Sequence, residues 1–203
     1  LMLLGGIRNR LGFDRWHASR YLTMKVPHKK NIHKIEKNLH LLSVFTDRTF
    51  DRQTELYPED ETVGRYERML AERTFPGRPL IALAPGSIWF TKRWPAEYYA
   101  QLARLLTAEK FNLVFVGAPD ERELCNEIIS ASGAEAPNLA GSTGILESAA
   151  AISQCDMLVC NDSGAMHIAN AMQTDVLAFF GPTVRSIGYF PYREKDKVFE
   201  IDI

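Results

Sequence analysis

The chain has 203 residues, 24 Lys+Arg against 25 Asp+Glu, 46% apolar and 24% charged side chains. This balance excludes wholesale disorder, a collagen-like fibre and a polybasic nucleic-acid binder, so no nucleic-acid partner is expected. No apolar run approaches the roughly 20 residues of a membrane-spanning helix, and three cysteines with no CxxC pair argue against a disulfide scaffold or a zinc site and fit a reducing, cytoplasmic compartment.

The neutral total hides a division. Residues 1–56 hold 11 Lys+Arg against 5 Asp+Glu, a local charge of +6, and the remaining residues hold 13 against 20, or −7. Four of the five histidines fall in the first forty residues. The front is basic and the back acidic.

In chain order, Leu1–Ile7 reads as the end of a buried strand whose earlier part is missing. An arginine-rich connection from Arg8 to Arg15 follows. The spacing of Ile32, Ile35, Leu39 and Leu42 predicts a helix from Asn31, and Val63, Tyr66 and Leu70 predict a second helix over 62–72. Phe75-Pro76-Gly77-Arg78-Pro79 breaks the chain, and the domain boundary is placed there.

After Pro79 the rhythm becomes regular. Strands are predicted at 80–84, 112–116, 138–140, 157–160 and 176–180. Helices are predicted after Pro95 and at 120–131, 145–153 and 165–172. The tail after Pro191 shows no clear element. Short apolar strands alternating with helices imply an α/β fold with a parallel sheet covered on both faces.

Ligands of such sheets bind beyond the carboxyl ends of the strands. Three loops stand there. The first, Pro85–Pro95, offers hydroxyls from Ser87 and Thr91 and cations from Lys92 and Arg93, either for phosphate or as a plain surface loop; it lacks Walker A spacing. The second, Asn161–His167, puts Asp162 or Ser163 at an N-cap and Gly164 in the first helical turn, whose free N–H groups suit a pyrophosphate. Asp162 is expected to point away from phosphate and brace the loop. His167, four residues after Ser163, shares its helix face and reads either as a ligand contact or as a structural residue. The third, Gly117–Glu121, supplies a carboxylate for a ribose diol or for helix capping. Residues 138–143 could wall a nucleobase, and Gly181-Pro182-Thr183 reads as a hydroxyl-bearing turn or a chain reversal. Trp89, Phe90 and above all Trp94 read as packing residues, and the cysteines fit packing better than thiol chemistry.

Together PGSIWFTKRWP, VGAPDE, NDSGAMHIANAM and FGPT, in this order and spacing, resemble the lipopolysaccharide heptosyltransferases of glycosyltransferase family 9. The resemblance extends to Arg10-Leu11-Gly12-Phe13 and to the His33–Leu39 segment. It implies a GT-B architecture: a Rossmann-like nucleotide-sugar domain over 79–203, and within 1–78 the last part of an amino-terminal, acceptor-side Rossmann-like domain with its linker. It further implies an inverting transfer of heptose from ADP-L-glycero-D-manno-heptose to the lipopolysaccharide inner core, with no metal and no cofactor. By position Ser87 and Lys92 match phosphate contacts, Glu121 the ribose carboxylate, and Asp162, Ser163 and Gly164 the pyrophosphate loop. His167 matches a motif histidine. Lys92 would stabilise the leaving ADP. The family's general base, an early aspartate, has no match in this chain, and Asp14 does not qualify. The basic front suggests peripheral contact with an anionic inner-membrane surface at its cytoplasmic face. The alternatives are another sugar-nucleotide GT-B enzyme or a catalytically incomplete nucleotide-binding fragment.

Overall fold

The computed structural model describes residues 5–17, 19–181 and 188–200. They fall into two compact units. One runs through Gln53 and includes Gly188 and Tyr189; the other starts at Thr54 and resumes at Phe190. Among the described residues no helix is long and apolar enough to cross a membrane.

In the first unit, strands β1 (Leu11–Asp14) and β2 (Met24–Pro27) pair in parallel, with Leu11 opposite Met24. β1 lies inside the expected Arg8–Arg15 connection, and β2 is a strand that the sequence pattern does not announce. Arg10 fixes the pair: its N–H donates to Thr23 Oγ1 at 2.7 Å and its Nε to the Tyr21 carbonyl at 2.6 Å. Gly12 packs so closely on Leu22 that a Cβ would lie 3.0 Å from Leu22 Cδ2. Of the strand expected over Leu1–Ile7, Leu1–Leu4 lie outside the described residues, and Gly5 and Gly6 form a turn. Helix α1 (Lys34–His40) starts at His33, whose Nδ1 accepts the Ile35 N–H at 3.2 Å.

The second unit opens with helix α2 (Asp60–Ala71), which buries Tyr66 and Leu70. The unit division therefore falls ahead of this helix, between Gln53 and Thr54, and not at the Pro76–Pro79 break. Next come β3 (Leu80–Ala84), α3 (Ala96–Ala108), β4 (Asn112–Phe115), α4 (Arg122–Ser132) and α5 (Ile145–Ile152). The unit closes with β5 (Met157–Asn161), α6 (Gly164–Ala171), β6 (Asp175–Phe180) and β7 (Lys197–Glu200).

The five strands form one parallel sheet in the order β4-β3-β5-β6-β7. The expected strand at 138–140 is reduced to a single parallel bridge, Phe115 to Asn138, at the β4 edge. Alternation along β3 sends Leu80, Ala82 and Ala84 to one core and Ile81 and Leu83 to the other. The first core packs against α2, α5 and α6 through Leu70, Ile152 and Met166. The second packs against α3 and α4 through Tyr99, Ala103 and Ile128. Both faces are covered, which is why β3 is buried throughout.

Strand β7 is the element the composition concealed. It is an edge strand, largely exposed, and is held by its ladder to β6. A polar knot sets its entry. Asp196 accepts the Val176 N–H at 3.0 Å and Asn170 Nδ2 at 2.8 Å, while Arg193 pairs with Asp175 at 2.7 Å.

Candidate functional site

The strand order reverses between β3 and β5. The chain leaves β3 for β4 on one side and later returns to β5 on the other, so the loops beyond these two strands diverge around a crevice. A cavity of about 580 Å³ lies there. Ser87, Lys92, Glu121, Asp162, Ser163, Gly164 and His167 all line it. These are the seven site residues expected from the sequence, and the topology gathers them from three loops.

Lys92 ends a short 3₁₀ turn, Phe90–Lys92. Its Nζ lies 2.6 Å from Asp162 Oδ2, so the cation is anchored across the crevice and does not wave freely. Asp162 thus braces the loops as expected, with Lys92 as its counterion. The Ser87 hydroxyl is engaged as well, donating to the Asp162 carbonyl at 3.2 Å. Arg93 turns inward to brace the loop: its Nε donates to the Ser87 carbonyl at 2.8 Å. Neither Arg93 nor Thr91 is among the lining residues.

Ser163 occupies the N-cap position of α6 in extended conformation, yet its side chain makes no cap hydrogen bond. Its Oγ is buried without a partner. The first-turn N–H groups of α6 keep their positive end toward the cavity. A Cβ added at Gly164 would meet nothing within 4 Å, so the approach to that turn is open. His167 is exposed and lines the wall one turn further on.

Glu121 has the capping role that one of its two expected readings gives it. Its Oε2 accepts the Ala118 N–H at 2.8 Å and so caps the short turn Pro119–Glu121. The carboxylate also lies over two glycines. A Cβ at Gly86 would come within 1.9 Å of Glu121 Cδ, and one at Gly117 within 2.8 Å of Oε2. Those glycines let two loops close against one acid. Asp120 does not line the cavity.

Val116, Pro119, Ile145 and Ile152 make an apolar slot beside Glu121. Of the segment 138–143 only Thr143 reaches it. Asn138 is used elsewhere, donating to the Arg122 carbonyl at 3.1 Å and to Asn126 Oδ1 at 2.7 Å. The neighbouring Gly141, at φ +72°, sits against Pro119.

Trp94 packs as expected, stacked on Phe179 with centroids 4.2 Å apart. Trp89 and Phe90 do not pack; both are exposed, and Trp89 lines the cavity. Pro182 and Thr183 lie outside the described residues. The three cysteines are free and buried, and burial pushes the Cys125 and Cys155 thiols up to about 12. Among the described residues no group of three or more His, Cys, Asp or Glu could hold a metal ion.

One residue escaped the sequence reading. Asn161, the last of β5, is fully buried. Its Nδ2 donates to the Pro85 carbonyl at 2.7 Å and the Gly86 carbonyl at 3.3 Å. Its Oδ1 accepts the Trp94 N–H at 2.9 Å and the Tyr99 hydroxyl at 3.4 Å. The available signal was an amide closing an apolar strand.

The chain resembles known proteins in sequence and in fold. The family model described as glycosyltransferase family 9 (heptosyltransferase) matches residues 1–202. Lipopolysaccharide heptosyltransferase 2 of Salmonella typhimurium is 39% identical over 111 residues, covering 52% of this chain and 32% of that protein. Lipooligosaccharide heptosyltransferase 2 of Haemophilus influenzae is 35% identical over 128 residues, covering 61% and 36%. Among solved structures, a glycosyl transferase family 9 protein from Veillonella parvula superposes with a TM-score of 0.85 at 22% identity, covering 96% of this chain and 56% of that one. The E. coli ADP-heptose lps heptosyltransferase II superposes with a TM-score of 0.76 at 26% identity, covering 98% and 63%. The chain thus matches about a third of the length of these curated relatives and 56–63% of these solved chains.

Proposed function

We propose that this chain, which belongs to glycosyltransferase family 9, binds an ADP-sugar donor in the cavity beyond β3 and β5 and serves heptose transfer to the lipopolysaccharide inner core. The observation that carries this reading is the buried, unpartnered Ser163 Oγ at the open start of α6, in one cavity with Lys92 and Glu121. Turned toward the cavity about its Cα–Cβ bond, the Ser163 hydroxyl would find in a diphosphate the acceptor it lacks, and the diphosphate charge matches the helix terminus. Glu121 keeps one oxygen on Ala118 and offers the other to a ribose diol. The base lies in the slot of Val116, Pro119, Ile145 and Ile152.

The proposed donor is ADP-L-glycero-D-manno-heptose and the transfer is inverting. An acceptor hydroxyl attacks the anomeric carbon, the bond to the β-phosphate oxygen breaks, and ADP leaves. Lys92 and the α6 amides take up the charge growing on that oxygen, so the proposed step is independent of metal. A base must receive the acceptor proton. Asp14, whose Oδ1 accepts from the Ser19 hydroxyl, is not proposed for this role. The residues of this chain are not proposed to supply that base. The acceptor reading includes peripheral contact between the basic front and an anionic inner-membrane surface on its cytoplasmic side.

Calorimetry with ADP, UDP and GDP on the 203-residue chain tests the donor site. ADP is expected to bind most tightly, with no turnover of ADP-heptose by the chain alone. A preference for UDP would sink the heptose reading, and turnover would show that the base lies within these residues.

A further inference from the structure

We infer that Asn161 is a positioning residue that staples the loop after β3 to the loop after β5 and thereby sets the donor site, an inference that rests on the nucleotide reading above. The two loops come from strands that are neighbours in the sheet but separated by 76 positions between Pro85 and Asn161. Nothing in the β3–β5 ladder continues past Ala84 and Cys160. Beyond that point the loops separate, and their backbone groups must find other partners.

The Asn161 amide provides them on both of its edges. Its N–H₂ edge holds the carbonyls of Pro85 and Gly86, at the start of the first loop. Its oxygen holds the Trp94 N–H, at the end of the same loop. Both ends of the Pro85–Trp94 excursion are therefore tied to the residue that immediately precedes Asp162. Lys92 and Ser87 sit between the two ties, and each contacts Asp162. A single buried amide fixes the frame in which the cation, the hydroxyl and the acid meet. It touches neither the cavity nor, in the proposed complex, the ligand, and its effect passes through the loop.

The donor and acceptor pattern makes the inference testable by pH. In Asn161→Asp, an ionised carboxylate would face the Pro85 and Gly86 carbonyls with no proton to give them, in a fully buried position. Burial and the facing carbonyls raise such a carboxyl above its ordinary range. Once protonated, it donates to Pro85 and still accepts from Trp94, and the staple is restored. In Asn161→Ala no pH restores it.

The experiment measures ADP affinity of wild type, Asn161→Asp and Asn161→Ala across about pH 6 to 8, with hydrogen exchange of the Trp94 amide on the ligand-free chain. Amides of α4 report global folding. The ratio of variant to wild-type affinity removes the titration of ADP itself. For Asn161→Asp the expected loss is about tenfold or more at the alkaline end, recovering toward wild type as pH falls. Asn161→Ala should lose affinity at every pH. Trp94 should exchange faster in Asn161→Ala, and in Asn161→Asp at alkaline pH, while α4 stays protected. Wild-type affinity in both folded variants, or a loss in Asn161→Asp that pH does not reverse, overturns the inference. A wild-type chain that binds no ADP overturns the nucleotide reading instead; the staple then stands or falls on Trp94 exchange alone.

Discussion

Lys92 and Asp162 form an ion pair across the crevice, with Nζ and Oδ2 2.6 Å apart and side chains 22% and 10% exposed. The pair joins the loop after β3 to the loop after β5, and it holds a cation where a diphosphate is proposed to bind. Removing Lys92 leaves Asp162 half of a broken pair, next to the ligand. Lys92→Ala should weaken ADP binding by on the order of tenfold or more. It should also lower the melting temperature more than the double variant Lys92→Ala/Asp162→Asn, which removes the facing carboxylate charge as well. Calorimetry and thermal melts on the three chains check both effects. Unchanged ADP affinity in Lys92→Ala would remove this lysine from the site.

Glycines 86 and 141 should fail in different ways when given a side chain. At Gly86 the new Cβ meets the carboxyl end of Glu121, which can swing aside. Gly86→Ala is therefore expected to fold normally but bind ADP as weakly as Glu121→Ala, and adding Glu121→Ala should cost nothing more. At Gly141 the φ of +72° and a backbone contact, 2.8 Å to Pro119 Cα, leave no such escape. Gly141→Ala should lose about 1–3 kcal/mol of stability. Urea titration separates the two cases, and a strongly destabilised Gly86→Ala would contradict the first.

The buried thiols predict an alkaline limit. Burial raises Cys125 and Cys155 from an ordinary 9.0 to about 12, and raises Cys160 as well. Above about pH 9 an unfolded chain releases these protons while the folded chain holds them. The unfolded state then binds fewer protons, so stability is full below pH 9 and falls as pH rises toward 12. The urea midpoint should drop over that window, and a thiol reagent at neutral pH should react only as fast as the chain opens. Rapid labelling of the folded chain would refute the burial argument.

The basic front predicts salt-sensitive adhesion. Lys25, Lys29 and Lys30 are exposed. At the surface of an anionic bilayer each would be expected to contribute about 1 kcal/mol. Co-sedimentation with vesicles containing anionic lipid should occur at low salt and disappear at high salt. Substituting all three lysines by glutamate should abolish it. Equal binding to neutral vesicles would argue against an electrostatic surface.

The elements that sequence rhythm made legible are those buried on both sides. Strands β3, β4, β5 and β6 stand out because helices covering both faces of the sheet leave apolar runs along them, and Pro95 and the acids at Asp120 and Glu121 mark helix starts by local chemistry. β7 was illegible because an edge strand is held by backbone hydrogen bonds on one side and by the Asp196 knot, neither of which leaves an apolar signature. That α2 packs with the second unit is hidden in the sequence for a related reason. Proline and glycine mark where backbone turns, and only Tyr66 and Leu70 in the sheet's core decide which unit a helix joins.

What the sequence by itself determined is the parallel α/β domain, the three loops beyond its strand ends and, through the order of their motifs, the family. Burial period and loop chemistry are local properties, and they survive in one dimension. Only the tertiary structure decided how the site residues are used: Lys92 anchored to Asp162, Ser87 and Arg93 spent on bracing, Glu121 folded over Gly86, and Asn161 holding both loops. Each of these depends on which strands become neighbours, and the crossover from β4 back past β3 to β5 brings together side chains some seventy positions apart.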